Sequence, residues 1–159
     1  HTASTMFKVV LYQPEIPPNT GNIIRLCANV GCELHLLQPL GFRLDHRRLR
    51  RAGLDYHEFA SVQVHRSWEE WLLNQPDVRV AAFSTRGRMR PDHVAFKAGD
   101  ALLFGAETRG LPEHILAGIA SERQVRLPMR PGSRSLNLAN AVSIAVYEAW
   151  RQTGFAGAA

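Results

Sequence analysis

The stretch from Val125 to Trp150 limits what this chain can fold into more than any other. It reads as a short apolar strand, Val125-Arg126-Leu127, followed by a polar loop, Pro128-Met129-Arg130-Pro131-Gly132-Ser133-Arg134-Ser135. A helix then runs from about Leu136 to Arg151. Two prolines restrict the path of the loop, and Gly132 permits a turn. Leu138, Ala141, Val142, Ala145 and Ala149 recur along the helix at helical spacing. Ala139, Ile144, Val146 and Trp150 cover much of the remaining circumference. A helix that is apolar nearly all round has to be buried on several sides. Two readings stay open. One is a plain core helix. The other is a helix shared with a second subunit, the small residues at 139, 141, 145 and 149 admitting a close backbone and the preceding loop binding a ligand. On the second reading, Ala145 and Val146 are the candidates for the outward face.

Strands and helices alternate along the rest of the chain. Phe7 to Tyr12 reads as a strand, and Pro14, Pro17 and Pro18 stiffen the connection after it. Asn19-Thr20-Gly21-Asn22 opens a helix to about Val30, buried through Ile23, Ile24, Cys27, Ala28 and Val30 and ended by Gly31 in the left-handed conformation. Further strands are expected at 33–37, 61–65, 78–84 and 101–104, with helices at 67–73, where Ser67 and Glu70 form a capping box, and at 113–119. The order argues for a single α/β domain over residues 6–159, a mainly parallel sheet flanked by helices. Ligands in such sheets bind beyond the carboxyl ends of the strands, which points to Phe83-Ser84, Gly105 and Leu127–Ser135. His1 to Thr5, ahead of Met6, read as a cloning remnant.

Composition narrows the function by exclusion. The chain has 159 residues, no apolar run near the ~20 residues of a membrane span, and no signal-peptide pattern. Cys27 and Cys32 lack a metal-like partner set and read as buried thiols of a reducing, cytoplasmic protein. The seven histidines are scattered, so no metal is expected. Neither a Gly-x-Gly-x-x-Gly turn nor a phosphate-loop lysine is present, and Ser133 and Ser135 lack a nucleophile elbow. A net charge of +5 permits a polyanionic partner. Arg43 to Arg51 holds five arginines and no lysine in nine residues. If that segment is helical, Arg47, Arg50 and Arg51 share one face, either solvated or suited to bidentate phosphate contact. What remains is a site of loops, backbone groups and arginines, able to hold a cofactor that carries its own reactive group.

Three ordered motifs then carry a resemblance. Asn19-Thr20-Gly21-Asn22-Ile23-Ile24-Arg25, Leu103 to Pro112, and Leu127-Pro128-Met129 through Ser135-Leu136-Asn137-Leu138 with Asn140-Ala141 resemble those of the SPOUT RNA methyltransferases. Tyr12 to Asn19 and Arg47 to Phe59 look, more narrowly, like the members that methylate the ribose of the tRNA wobble nucleotide. The resemblance implies S-adenosylmethionine as cofactor, tRNA as substrate, a homodimer, and a deep C-terminal trefoil knot. Nothing in periodicity or composition indicates the knot. Matching positions assign the cofactor pocket to Phe83, Gly105, Leu127 and Ser135. The same matching makes Arg25, Ser135 and Asn137 the catalytic candidates. Asn19, Arg47, Arg50, Arg51 and Tyr147 are substrate-binding candidates, Tyr147 being equally a packed helix residue. Gly105 is expected to let adenosine approach the backbone. Two rival readings are the same chemistry on another tRNA or ribosomal RNA nucleotide, and a non-catalytic RNA-binding module of this fold.

Overall fold

β1 (Lys8–Tyr12) lies at the centre of a sheet, and its alternating side chains decide what covers each face. The computed structural model describes residues 7–159, so the segment read as a cloning remnant lies outside the described residues. Val9 and Leu11 point to one core, shared with α1 (Pro17–Val30) and α6 (Leu138–Gln152), while Val10 points to a second. β2 (Glu33–Leu37) divides the same way, Leu34 and Leu36 to the first core and Leu37 to the second. α4 (Trp68–Leu73) and α5 (Glu113–Leu116) cover the second face through Trp68, Trp71, Ile115 and Leu116. With β3 (Val62–His65), β4 (Val80–Phe83), β5 (Ala101–Phe104) and β6 (Gln124–Val125), the sheet has six strands among the described residues, in the order β3-β2-β1-β5-β4-β6, every pairing parallel. The mainly parallel α/β expectation holds.

Boundaries moved where local chemistry overrode pattern. α1 begins at Pro17, two residues earlier than expected, because proline suits the first helical turn, where its missing N–H costs nothing. Gly31 caps it with φ 80°, its N–H donating to Cys27 O. The arginine-rich segment is helical over α2 (His46–Arg51), started by Asp45, whose carboxylate accepts from the Arg48 N–H. A further turn, α3 (Tyr56–Phe59), carries a complete capping box from Asp55 and Glu58. The Ser67 box is half formed: Ser67 accepts from the Glu70 N–H, but the Glu70 carboxylate turns to the Arg66 N–H instead. α6 starts at Leu138, because the Asn137 side chain accepts from the Asn140 N–H.

The outward face of α6 is not where its small residues suggested. Ala145, Val146 and Ala149 have no exposed surface and pack in the chain's own core, with Ala139 buried beside them. Ile144 and Tyr147, each 47% exposed, form the outer side instead. The packing of α6 on α1 decides this, since it takes up the small-residue stripe from within.

Residues 84–89 take an unusual path. Val125 pairs with Phe83 of β4 on one edge and with Met89 on the other. The Ser84 N–H reaches Val125 O, whereas the Arg88 and Met89 N–H groups reach Gln124 O. The chain therefore crosses over β6 between those points, and it does so at Gly87. A Cβ there would stand 2.6 Å from the Val125 carbonyl, so only glycine passes.

On the second face, His35 is 1% exposed, its Nε2 lying 2.8 Å from Glu33 Oε1 and its Nδ1 2.9 Å from His65 Nε2. Burial pushes both imidazoles below their ordinary range. Below about pH 6.5 the unfolded chain therefore binds more protons than the folded one. The stability held above that value is lost as pH falls through the folded values. The melting temperature is expected to drop between about pH 7 and pH 5, before most carboxylates titrate, and to drop less steeply in His35→Gln. Identical slopes for the two proteins would exclude His35 as the source.

Candidate active site

Four connections converge at the carboxyl end of the sheet, those following β1, β4, β5 and β6. Between them lies a cleft of about 430 Å3. It brings together Phe83, Gly105, Leu127, Ser135, Asn19 and Asn137 from the sequence candidates. Phe83 is nearly buried, its ring stacked on Phe104 with centroids 4.8 Å apart, so the core holds it rigid. Leu127 and Leu138 add buried apolar wall. Ser135 stands exposed on the loop at the mouth.

Gly105 has a reason within the chain itself, besides the approach of a ligand expected from the sequence. A Cβ on it would fall 2.2 Å from Gly110 C and 2.3 Å from Leu111 N, so the backbone it must admit is that of its own loop. Gly105→Ala is accordingly expected to destabilise the protein by about 1–3 kcal/mol through overpacking, and to weaken ligand binding only as a consequence. Urea denaturation measures this. An alanine variant as stable as the parent would show that the 105–111 loop relaxes freely.

A polar chain missed in the sequence holds the cleft's walls in register. The Glu107 carboxylate accepts from the Glu15 N–H at 2.7 Å, the Ile16 N–H at 2.9 Å and Asn19 Nδ2 at 3.2 Å. Asn19 Oδ1 in turn accepts from Asn137 Nδ2 at 2.9 Å, and Asn137 caps α6. Glu15 returns the contact, accepting from the Thr108 N–H and hydroxyl, and the backbone donor of Thr108 holds its carboxyl below the usual range. Glu107 and Glu15 both stood inside the recognised motifs. Only the fold reveals their role, because each bonds residues some ninety positions away. Asn19 and Asn137 are thereby tied to protein partners and orient the start of two helices. Arg86 ties the 84–89 segment to the Leu111 carbonyl and to Glu113.

Arg25 does not line this cleft. It lines a second one, of about 450 Å3, between α1 and α2. Its Nε lies 2.8 Å from Glu58 Oε2, and its Nη2 donates to the Gly53 carbonyl and to Glu58 Oε1. Hydrogen bonding to Glu58 raises its already high pKa, so it stays protonated. Arg47, Arg50 and Arg51 are all exposed on α2, and Arg51 joins Arg43 and Arg48 at the second cleft. Tyr147 lines neither cleft; it sits half exposed with its ring edge-on to Trp150. Cys27 and Cys32 are buried free thiols, Cys32 pushed up to about 12 by burial.

Comparison with known proteins completes the picture. A model of the SpoU rRNA methylase family matches residues 6–147. The chain is 58% identical over 156 residues to the tRNA (cytidine(34)-2′-O)-methyltransferase of Burkholderia ambifaria, spanning 97% of this chain and all of that protein. A solved structure described as giving insights into the 2-OH methylation of C/U34 on tRNA matches with a TM-score of 0.86 and 47% identity, over 95% of this chain and 98% of the other. An AdoMet-bound rRNA methyltransferase from Sinorhizobium meliloti matches with a TM-score of 0.75 and 26% identity, over 95% of this chain and 58% of its own.

Proposed function

This chain belongs to the SpoU rRNA methylase family, and from that premise we propose that it methylates the ribose 2′-oxygen of nucleotide 34, cytidine or uridine, in tRNA anticodons. S-adenosylmethionine is the methyl donor. The observation that carries the substrate is the end-to-end likeness to an enzyme of that specificity, with no part of that relative left unmatched.

The residues at the sheet's end suit such a cofactor. Rigid apolar walls from Phe83, Leu127 and Leu138 and the backbone-rich 105–111 loop would hold it, with Ser135 at the mouth. When bound, it supplies an electrophilic methyl group. A ribose hydroxyl is a poor nucleophile, so the protein's task is to place the oxygen in line and steady the charge that develops on it. Arg25 suits that second task as a fixed donor. It is unsuited to take the proton, because its guanidinium stays charged. Arg47, Arg50 and Arg51 extend a positive face for the phosphates of the anticodon stem and loop.

Because Arg25 and the cofactor cleft lie apart in one chain, we infer that the working unit is a homodimer in which Arg25 of one protomer serves the cleft of the other. Ile144 and Tyr147 on α6, with Leu136 at 38% exposure ahead of it, supply an apolar face for a two-fold contact. The crossing of 84–88 over β6 supports the knotted path the family implies. Such an enzyme would work in the cytoplasm, with its tRNA. Among the described residues no helix is long and apolar enough to cross a membrane.

The test uses tRNA from a strain lacking the gene, incubated with the protein and S-adenosylmethionine, digested and mapped by mass spectrometry. One methyl on the ribose of nucleotide 34 is expected. Methylation of a base, or of the ribose elsewhere, would overturn the assignment.

A further inference from the structure

The cleft between α1 and α2 is as large as the one given to the cofactor, and nothing in the methyl-transfer reaction explains its floor. At about 450 Å3 it falls within the range of roughly 300–1,000 Å3 usual for small-molecule sites. Leu44, Leu49 and Leu54 make much of that floor apolar. Two residues in its α1 wall are out of keeping with a helix that serves only its own fold.

The first is Gly21. Glycine inside a helix weakens it relative to alanine. The chain's own packing does not demand glycine here: an added Cβ would meet only Leu54 Cδ1, at an ordinary 3.9 Å. The space beside Gly21 is therefore open to something outside the chain. The second is Thr20. It is 1% exposed, and its buried hydroxyl has no hydrogen-bond partner among the described residues. A buried hydroxyl left unpaired is costly, unless a ligand completes it.

The rim says what kind of ligand. Arg43, Arg48 and Arg51 stand around the opening, and Arg43 and Arg48 share one carboxylate, Asp45, at 3.9 and 3.4 Å. An apolar slot with a polar contact in its wall and an excess of positive charge at its mouth matches a nucleotide: a flat base inside, a phosphate outside. RNA loops are read in this manner, through bases splayed out of the stack. Arg25 lines the same cleft, which places the slot beside the group that handles the target ribose.

We propose that this cleft receives one unstacked base of the tRNA anticodon loop, distinct from the methylated nucleotide, with the Thr20 hydroxyl bonding its edge. The proposal rests on the reading that the substrate is tRNA. It assigns the cleft a role in choosing which anticodon loops are accepted.

The experiment uses an anticodon stem-loop RNA in which each loop nucleotide except the target is made abasic in turn. The wild-type protein should show one abasic position that raises KM by about tenfold while leaving kcat unchanged, as loss of a stacked base requires. Gly21→Leu, which fills the cleft from an unstrained helical position, should raise KM on intact RNA by a similar factor. It should no longer distinguish the abasic site, and should melt no lower than the parent. Thr20→Val should also raise KM without lowering the melting temperature. Wild-type KM in both variants, or penalties of variant and abasic site that multiply, would overturn the proposal. So would a flat abasic series accompanied by loss of the dimer in Gly21→Leu, which would assign the cleft to a second subunit. If the wild-type protein methylates no stem-loop or tRNA, the substrate reading itself fails; methylation with a flat abasic series removes the base pocket alone.

Discussion

Arg25→Ala is expected to lower kcat about 100- to 1,000-fold, the loss that follows removal of one fixed donor from a developing oxyanion. Cofactor affinity should stay unchanged, because Arg25 lines the other cleft. Arg25→Lys should fall between the two, since an ammonium keeps the charge but not the fork that spans Glu58 and the Gly53 carbonyl. Glu58→Gln tests positioning separately: it keeps the guanidinium but removes the carboxylate that aims it, so a smaller loss is expected. Mixing tests the proposed dimer, by asking which protomer's cleft Arg25 would serve. Ala141 lines the cleft proposed for the cofactor, and Ala141→Trp should fill it. If each site joins Arg25 of one protomer to the cleft of its partner, co-refolding Arg25→Ala with Ala141→Trp creates one intact site per mixed dimer. About a quarter of wild-type activity should then return from two inactive proteins. No recovery in proven mixed dimers would place the whole site within one chain, and a kcat near wild type in Arg25→Ala would remove Arg25 from the chemistry.

The second large effect separates a core position from one in the proposed interface on a single helix. Ala145→Glu should abolish folding, because the site is fully buried and an unpaired carboxylate there costs several kcal/mol of the roughly 5–15 that hold a domain together. Ile144→Glu, one residue earlier, should leave the protomer's fold intact, as expected of a half-exposed position. Its expected effect is on association, since a two-fold contact would bury two of the new carboxylates. Sedimentation should report a folded monomer, and methyl transfer should fall with it. A monomer with full activity would contradict the shared site, and an intact dimer would move the contact away from Ile144.

Much of this molecule was legible before its structure. Alternating strand and helix signals led to the parallel sheet, and the strand ends Phe83, Gly105 and Leu127 fell around one cleft because parallel strands bring all their carboxyl ends to one side. Local signals were read well where the chemistry is local. Gly31 ends α1 in the left-handed conformation, and Ser67 starts α4, each through contacts within a few residues. The helix of α2, which the sequence left conditional, also needs only a local contact, Asp45 at its start.

What the tertiary structure alone decided has one physical origin, contact between residues far apart in the chain. Helical spacing says which residues of α6 share a side, but only the approach of α1 decides which side is buried, and that choice put Ala145 inside and Ile144 out. Gly105 and Gly87 are glycine because other backbone segments pass within 3 Å of where a Cβ would be, a fact no periodicity encodes. The Glu107–Asn19–Asn137 chain spans more than one hundred residues of sequence in three side chains. Motifs could single these residues out as candidates, whereas only the fold could show that they bind one another and that Arg25, from the same motif as Asn19, faces a different cleft.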